Sequence, residues 1–283
     1  MNRWRRMVSV LMMAVMVLSV LPLPAMASGN TIGNHYGDLV YSVSGDHVEI
    51  IGCDESATEL VIPVTIDDLP VTVIAQGAFH SHANLTSVTA PSTLTYISRW
   101  AFRYCSQLQS VDLSQSAVTD IGQQAFQGCG KLASVQFPDD LQTIGEEAFL
   151  DCVLLGSVNL SGTALSTLGR RAFHGCTALS EATVPDTLST LGVGAFGLCK
   201  LTYMDLSSTA VTEIAGSTFS NSLTAVSLPD GLMAIGEGAF YGTALEEIRF
   251  PDTLTAIGKD AFGYCTSLAS VIWPENPDFT TVN

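Results

Sequence analysis

Nine phenylalanines punctuate this chain at nearly constant intervals: Phe79, Phe102, Phe126, Phe149, Phe173, Phe196, Phe219, Phe240 and Phe262, separated by 23, 24, 23, 24, 23, 23, 21 and 22 residues. All follow Ala except Phe219, which follows Thr218. A period in this range marks a solenoid, because a unit so short buries its apolar face only by stacking on copies of itself. One hydrophobic spine through the whole array is therefore expected, in place of the one or two compact domains that 283 residues would otherwise allow.

The most regular unit reads Leu132-x-x-Val135-x-Phe137-Pro138-Asp139-x-Leu141-x-x-Ile144-Gly145-x-x-Ala148-Phe149-x-x-Cys152. Val135 and Phe137 flank polar Gln136, the period-two pattern of a short strand with one buried face. Pro138-Asp139 turns the chain, since proline presets φ and an aspartate side chain bonds the backbone two residues on. Leu141 and Ile144 point inward, and Gly145 is expected to supply a tight bend or a positive φ. The Ala148-Phe149 segment is expected to form a helical or 3₁₀ turn.

Two turn variants alternate. Pro91-Ser92, Pro138-Asp139, Pro185-Asp186 and Pro229-Asp230 make one set; Ser114-Gln115-Ser116, Ser161-Gly162-Thr163 and Ser207-Ser208-Thr209 make the other, longer by one residue, which accounts for the alternation of 23 and 24. With LxxVxL, Pro-Asp, LxxIG and AFxxC recurring in order from Val71 to Trp273, the chain resembles the leucine-rich repeats of the BspA-like, or Treponema pallidum, type. That resemblance implies an α/β repeat solenoid: a right-handed leucine-rich-repeat coil with short strands and short helical or 3₁₀ turns. It also implies a secreted or cell-surface, non-catalytic module for adhesion to host matrix proteins, host cells or other microbes. A rigid extracellular spacer displaying another domain, or the accessory region of a larger secreted hydrolase, are the alternatives.

The ends depart from the repeat. Arg3, Arg5 and Arg6 precede an uncharged apolar run from Met7 to Leu21, then Pro22, Pro24 and Ala25-Met26-Ala27, the order of a secretory signal peptide cleaved after Ala27. Leu39 to Val43 and Val48 to Ile51 alternate around Ser44-Gly45-Asp46, a hairpin signal. The expected organisation is thus a signal peptide at 1–27, an N-terminal β-hairpin cap at 28–66, about nine solenoid units at 67–273 and an incomplete segment at 274–283. No membrane insertion is expected after cleavage.

Charge narrows the partners. Eleven Lys+Arg stand against 27 Asp+Glu, a net charge of −16 that argues against nucleic acid, whose phosphates seek basic patches. No nucleophile elbow, phosphate loop or dinucleotide fingerprint occurs, so neither catalysis nor a cofactor is expected. Six of seven cysteines, Cys105, Cys129, Cys152, Cys176, Cys199 and Cys265, share one repeat position that His82, Ser222 and Thr243 fill elsewhere. Thiols placed one per coil form a line rather than a tetrahedron, so they are read as packing groups that hydrogen-bond the next coil and not as metal ligands.

Two surfaces are candidates for an extracellular protein or cell-surface ligand. The outward strand positions form a polar ladder that includes Asp112, Gln136, Asn159 and Asp205, flanked by Glu181 and Tyr203. Beside the Phe anchors, Arg99, Trp100, Arg103 and Tyr104 fill positions that small or polar residues mostly take in other units, with Arg170, Arg171 and His174 at equivalent places three coils on. Trp, Tyr and Arg are the residues enriched at interface hot spots, so this group is expected to face solvent as a recognition patch.

Overall fold

The computed structural model describes residues 33–219, 222–276 and 279–281. The expected signal peptide at 1–27 and residues 28–32 lie outside the described residues.

Each unit contributes two short strands. The first is the pair of residues before the glycine of LxxIG, as in Thr143–Ile144, which runs parallel to Asp120–Ile121 on one side and Thr167–Leu168 on the other. The register sets Ile121, Ile144 and Leu168 in one column, so each coil presents an aliphatic side chain to its own counterpart. The second strand is the three-residue LxxVxL step, as in Ser134–Gln136, parallel to Ser110–Asp112 with Val135 on Val111. Equivalent side chains meet wherever the strands pair, and a repeating sequence thereby closes a continuous core: one cluster of buried residues extends from Leu39 to Ala261.

The phenylalanines form its axis. Their rings stack almost parallel, with centroids 4.9 Å apart between Phe79 and Phe102, 5.0 Å to Phe126, and 5.1 Å on to Phe149 and Phe173. Parallel rings at this separation are offset, the arrangement that keeps their like-charged faces apart, and each such pair is worth about 0.5–1.5 kcal/mol beyond the area it buries. The stack loosens at one place: 5.7 Å from Phe173 to Phe196 and 6.3 Å from Phe196 to Phe219, before tightening to 5.2 Å at Phe240. The two-residue ladder breaks in the same layer, since Thr190–Leu191 and Glu213–Ile214 belong to separate sheets.

The Ala-Phe segment is not a helix, and no helix occurs among the described residues. Its amides alternate in direction. Glu147, Phe149 and Asp151 donate to Arg170, Ala172 and His174 of the following coil, while Ala148, Leu150 and Cys152 donate locally to Gly145, Glu147 and Phe149. A 3₁₀ helix needs consecutive local bonds; here every second amide is committed to the neighbouring coil, so the segment becomes a third ladder made of turns. The architecture is therefore an all-β solenoid and not α/β.

Gly145 also serves a different purpose from the expected one. It is not among the positive-φ residues. A Cβ there would lie 2.9 Å from Gln123 N in the preceding coil, so glycine is required by the close approach of two backbones. The same crowding recurs at Gly122, Gly169 and Gly192.

The cysteines hydrogen-bond, but backward. Cys105, Cys129 and Cys152 Sγ donate to the carbonyls of Phe79, Phe102 and Phe126 at 2.9, 3.0 and 3.2 Å, one coil earlier rather than later. All seven thiols are free. Burial raises the Cys53 and Cys176 thiols to about 12 and holds Cys129, Cys152 and Cys199 well above the ordinary range.

At the N-terminal side, β1 (Asn34–Tyr36), β2 (Leu39–Ser44) and β3 (His47–Cys53) form an antiparallel meander turned by Gly45 at φ 65°. β3 then runs parallel to Leu69–Ile74, joining the meander to the first ladder. Tyr41 donates its hydroxyl to Asp67, fastening the loop that follows. At the other side, Thr280–Thr281 pairs with Ala256–Ile257, so the segment after Trp273 continues the first ladder.

Candidate binding surface

The flank built by the Ala-Phe turns carries the sharpest chemistry. Two columns of its residues sit at positive φ among the described residues: Trp100, Gln124, Glu147 and Arg171 at 53–62° in one, Tyr104 and Asp151 at 60° and 59° in the other. Left-handed backbone costs a non-glycine residue about 1–2 kcal/mol. The cross-coil hydrogen bonds offset that cost and hold these side chains at fixed intervals along the flank, whatever their identity.

Arg99, Trp100, Arg103 and Tyr104 come together here as one cluster. The Arg99 guanidinium lies 3.9 Å from the Trp100 ring centroid, and Arg103 lies 5.6 Å from Trp100 and 4.6 Å from Tyr104. Trp100 is half-buried rather than fully solvent-facing; its indole N–H donates to Gln124 Oε1 at 2.5 Å. Arg103 donates to the Tyr104 hydroxyl at 3.1 Å, and its Nε is buried with no hydrogen-bond partner. Neither Arg99 nor Arg103 forms an ion pair among the described residues. Burial, reinforced by Arg103, lowers the pKa of adjacent His80, so near neutral pH the cationic charge is that of the arginines. The cluster is a rigid cationic and aromatic platform whose charges lack a carboxylate.

Further along the same columns the charge cancels. Gln124 donates to Glu147, and Arg170 and Arg171 pair with Glu146 and Glu147 at 2.9 and 3.8 Å. The two arginines grouped with the patch by sequence are thus neutralised inside the flank and stand apart from Arg99 and Arg103.

The strand ladder divides. Asp112, Asn159 and Asp205 each accept from the backbone N–H and hydroxyl of the serine two residues on, Ser114, Ser161 and Ser207. They close the longer turns, and the paired donors hold the Asp205 carboxyl below the usual carboxylate range. Gln136 and Asn159 line a small hollow of about 250 Å³ where the Ser134–Gln136 and Ser157–Asn159 strands are not paired. Glu181 and Tyr203 are exposed, and Tyr203 hydrogen-bonds Ser227 at 3.0 Å. These six residues are spread over five coils and converge on no single feature.

A cleft of about 580 Å³ opens on the Ala-Phe flank beside the loosened part of the phenylalanine stack. His174, Val193, Leu198, Ser217, Glu237, Tyr241 and Asp260 line it, over main chain left bare by Gly197, Gly216 and Gly238. Sequence reasoning passed over it apart from His174. Its traces in the sequence are the 21-residue interval after Phe219, Thr218 in place of alanine, and the run of glycines. Among the described residues no group of His, Cys, Asp and Glu is placed to hold a metal, and no helix is long and apolar enough to cross a membrane.

The profile described as BspA type leucine rich repeat region matches in six copies, over residues 72–202 and 157–269. Among solved structures, a leucine-rich repeat protein from Bacteroides ovatus is 28% identical with a TM-score of 0.74, over 88% of this chain and 66% of that one. The chain therefore spans about two thirds of the length of that relative. The Treponema pallidum leucine rich repeat protein is 26% identical with a TM-score of 0.53, over 74% of this chain and 88% of its own. A leucine rich cell surface protein from Faecalibacterium prausnitzii shares the fold at 19% identity and a TM-score of 0.53, over 87% of this chain and 96% of its own. No curated protein matches.

Proposed function

The chain belongs to the BspA type leucine rich repeat family, and from that premise we propose that it is a secreted or cell-surface, non-catalytic module that binds an extracellular protein or cell-surface ligand. The leader-like order of Arg3 to Ala27 supports export, as does the Faecalibacterium relative's description as a cell surface protein. In this reading the segment at 28–66 is the N-terminal cap; of its described part, β3 covers the edge of Leu69–Ile74 so that it is not free to pair with other chains, while Glu59–Val61 already joins the three-residue ladder beside Ser87–Thr89.

One observation carries the binding reading: two guanidiniums without carboxylate partners, held on Trp100 and Tyr104, in a chain with 27 acidic and 11 basic side chains. Desolvated cation–π contacts are worth about 2 kcal/mol, and a pre-ordered aromatic–arginine cluster costs a partner little ordering entropy. The test is binding to a panel of immobilised extracellular matrix proteins and to whole bacterial cells, comparing the native chain with Trp100→Ala, Arg103→Ala. At least a ~10-fold weakening on every surface that the native chain binds is expected, from the ~2 kcal/mol typical of a hot spot. Undiminished binding by a folded double variant would remove the patch.

A further inference from the structure

We propose that the cleft between His174 and Tyr241 receives a lysine side chain from an extended segment of a partner protein. The proposal builds on the reading of the Ala-Phe flank as a protein-binding surface, but it concerns a different place on that flank and a different charge.

The cleft exists because the repeat falters. Phe219 stands 6.3 Å from Phe196, the two-residue ladder is interrupted in the same layer, and Gly197, Gly216 and Gly238 contribute no side chains to fill the gap. Its volume of about 580 Å³ lies within the usual range for ligand sites, roughly 300–1,000 Å³.

The walls sort by chemistry. Val193 and Leu198 are 48% and 61% exposed, an apolar strip that nothing in the chain covers among the described residues. Glu237, Tyr241 and Asp260 also line the cleft, and all three are exposed. Tyr241 lies beside Tyr264, with ring centroids 5.1 Å apart and the ring planes tilted by 54°.

The carboxylates provide the most selective feature. In the same two columns Glu146 and Glu147 are answered by Arg170 and Arg171, whereas Glu237 and Asp260 have no ion pair and no side-chain hydrogen bond among the described residues. Lys259, next in sequence to Asp260, is exposed and forms no ion pair with either. Partial desolvation, with the neighbouring Tyr264 and Asp260, raises the Tyr241 pKa, and its phenol is neutral near pH 7.

An apolar strip, a tyrosine face and two unanswered carboxylates match the parts of one side chain. A lysine lays its methylenes on apolar surface and keeps its ammonium at the polar end. The ammonium gains from a ring face within about 6 Å and from carboxylates there. A neutral saccharide would leave the carboxylates unanswered, and a phosphate or carboxylate ligand would be repelled.

The test uses the isotope-labelled full chain and synthetic probes, so that it does not depend on finding the natural partner. The probes are acetyl-Gly-Lys-Gly-amide, its Nε-acetylated form, its norleucine analogue and a neutral tetrasaccharide, followed by backbone amide shifts. The lysine peptide is expected to bind at millimolar concentration with shifts confined to residues 193–198, 216–219 and 237–260. The acetylated and norleucine forms should bind at least ~10-fold more weakly, and Glu237→Gln, Asp260→Asn should weaken the lysine peptide by a similar factor. Equal binding of the acetylated peptide, preference for the saccharide, or shifts unchanged by the double variant would each overturn the proposal. If the double variant melts early, Glu237→Gln alone, at an exposed side chain, carries the same comparison. A peptide that binds while the Trp100 and Arg103 variant keeps its partner leaves the cleft standing and removes the patch; the reverse pattern does the opposite.

Discussion

The coil anchored by Phe102 and the two anchored by Phe240 and Phe262 share their backbone plan and differ in charge at several of the same positions. Arg99 corresponds to Glu237, Trp100 to Asp260, Arg103 to Tyr241 and Tyr104 to Tyr264. In both places the second residue of each turn is left-handed, at φ 62° for Trp100 and 51° for Asp260. The inter-coil hydrogen bonds fix this geometry without reference to the side chain, so the flank is a row of fixed sockets whose occupants can vary. One end became a cationic platform and the other an acidic cleft, separated by the paired Glu146–Arg170 and Glu147–Arg171.

The two regions also differ in packing. Rings from Phe79 to Phe173 are 4.9–5.1 Å apart, against 5.7 and 6.3 Å on either side of Phe196. In a solenoid, stability is close to a sum of nearest-neighbour terms, so the loosened layer is the weak interface. The largest expected effect follows. Phe149→Ala, in the tight stack, should cost about 3–5 kcal/mol in guanidinium unfolding, the range for a fully buried ring. Phe219→Ala should cost about 1 kcal/mol less, because its ring already lacks a close neighbour on one face. Equal losses would show that the wider spacing carries no energetic weakness.

The spine of phenylalanines, the three-residue strand of each unit and the hairpin at Gly45 were legible because each is a local pattern, whereas the two-residue strand at Thr143–Ile144 was read only as inward-pointing Leu141 and Ile144. The Ala148-Phe149 turn was not: whether alternate amides bond locally or across depends on the next coil, which one unit does not reveal. Gly145 was read for its own φ, when the reason lies 2.9 Å away at Gln123. Asp112, Asn159 and Asp205 looked like a ligand ladder because their alternation is that of a strand face. Each instead reaches the serine two residues on, a spacing visible in Asp112-x-Ser114 and Asp205-x-Ser207 once the longer turn is recognised. The cleft was missed because a repeat reading averages over units, and the cleft arises where one unit is short.

The cysteine column gives a second way to separate the regions. It runs without interruption from Cys105 to Cys199, then passes to Ser222 and Thr243 in the coils of Phe219 and Phe240. A thiol with a raised folded pKa stabilises the fold below its unfolded value of 9.0, and that contribution is lost as pH climbs from there toward the folded value, about 12 for Cys176. Alkaline unfolding should therefore begin above about pH 9 and strike the coils around Phe126 to Phe196. Thiol labelling with peptide mapping between about pH 7.5 and 10 reads this directly: half-buried Cys265 reacts first, Cys199 beside the loosened layer reacts before Cys129 and Cys152, and these two stay protected until global opening. Early reaction of Cys152 would mean that the central coils open locally and that the tight stack is not the stable part.

The smallest expected effect concerns the strand face. Asp205 and Asn159 do the same job with one Oδ1 each, accepting from the serine backbone and hydroxyl, so geometry rather than charge should hold the turn. Asp205→Asn is then expected to change stability at pH 7 by less than about 0.5 kcal/mol, since the carboxylate is exposed and its charge is screened. The pH dependence should change more than the stability. Because the folded Asp205 pKa is depressed below 3.8, its charge contributes stability that is present above that value and lost as pH falls through the folded one. The variant lacks this contribution, so its melting temperature should decline less steeply below about pH 4 and meet that of the native chain once the native carboxyl is protonated. A loss above about 1 kcal/mol at neutral pH, comparable with that of a charged hydrogen bond, would make the charge itself the fastening at residue 205 and set this turn apart from its counterpart at Asn159.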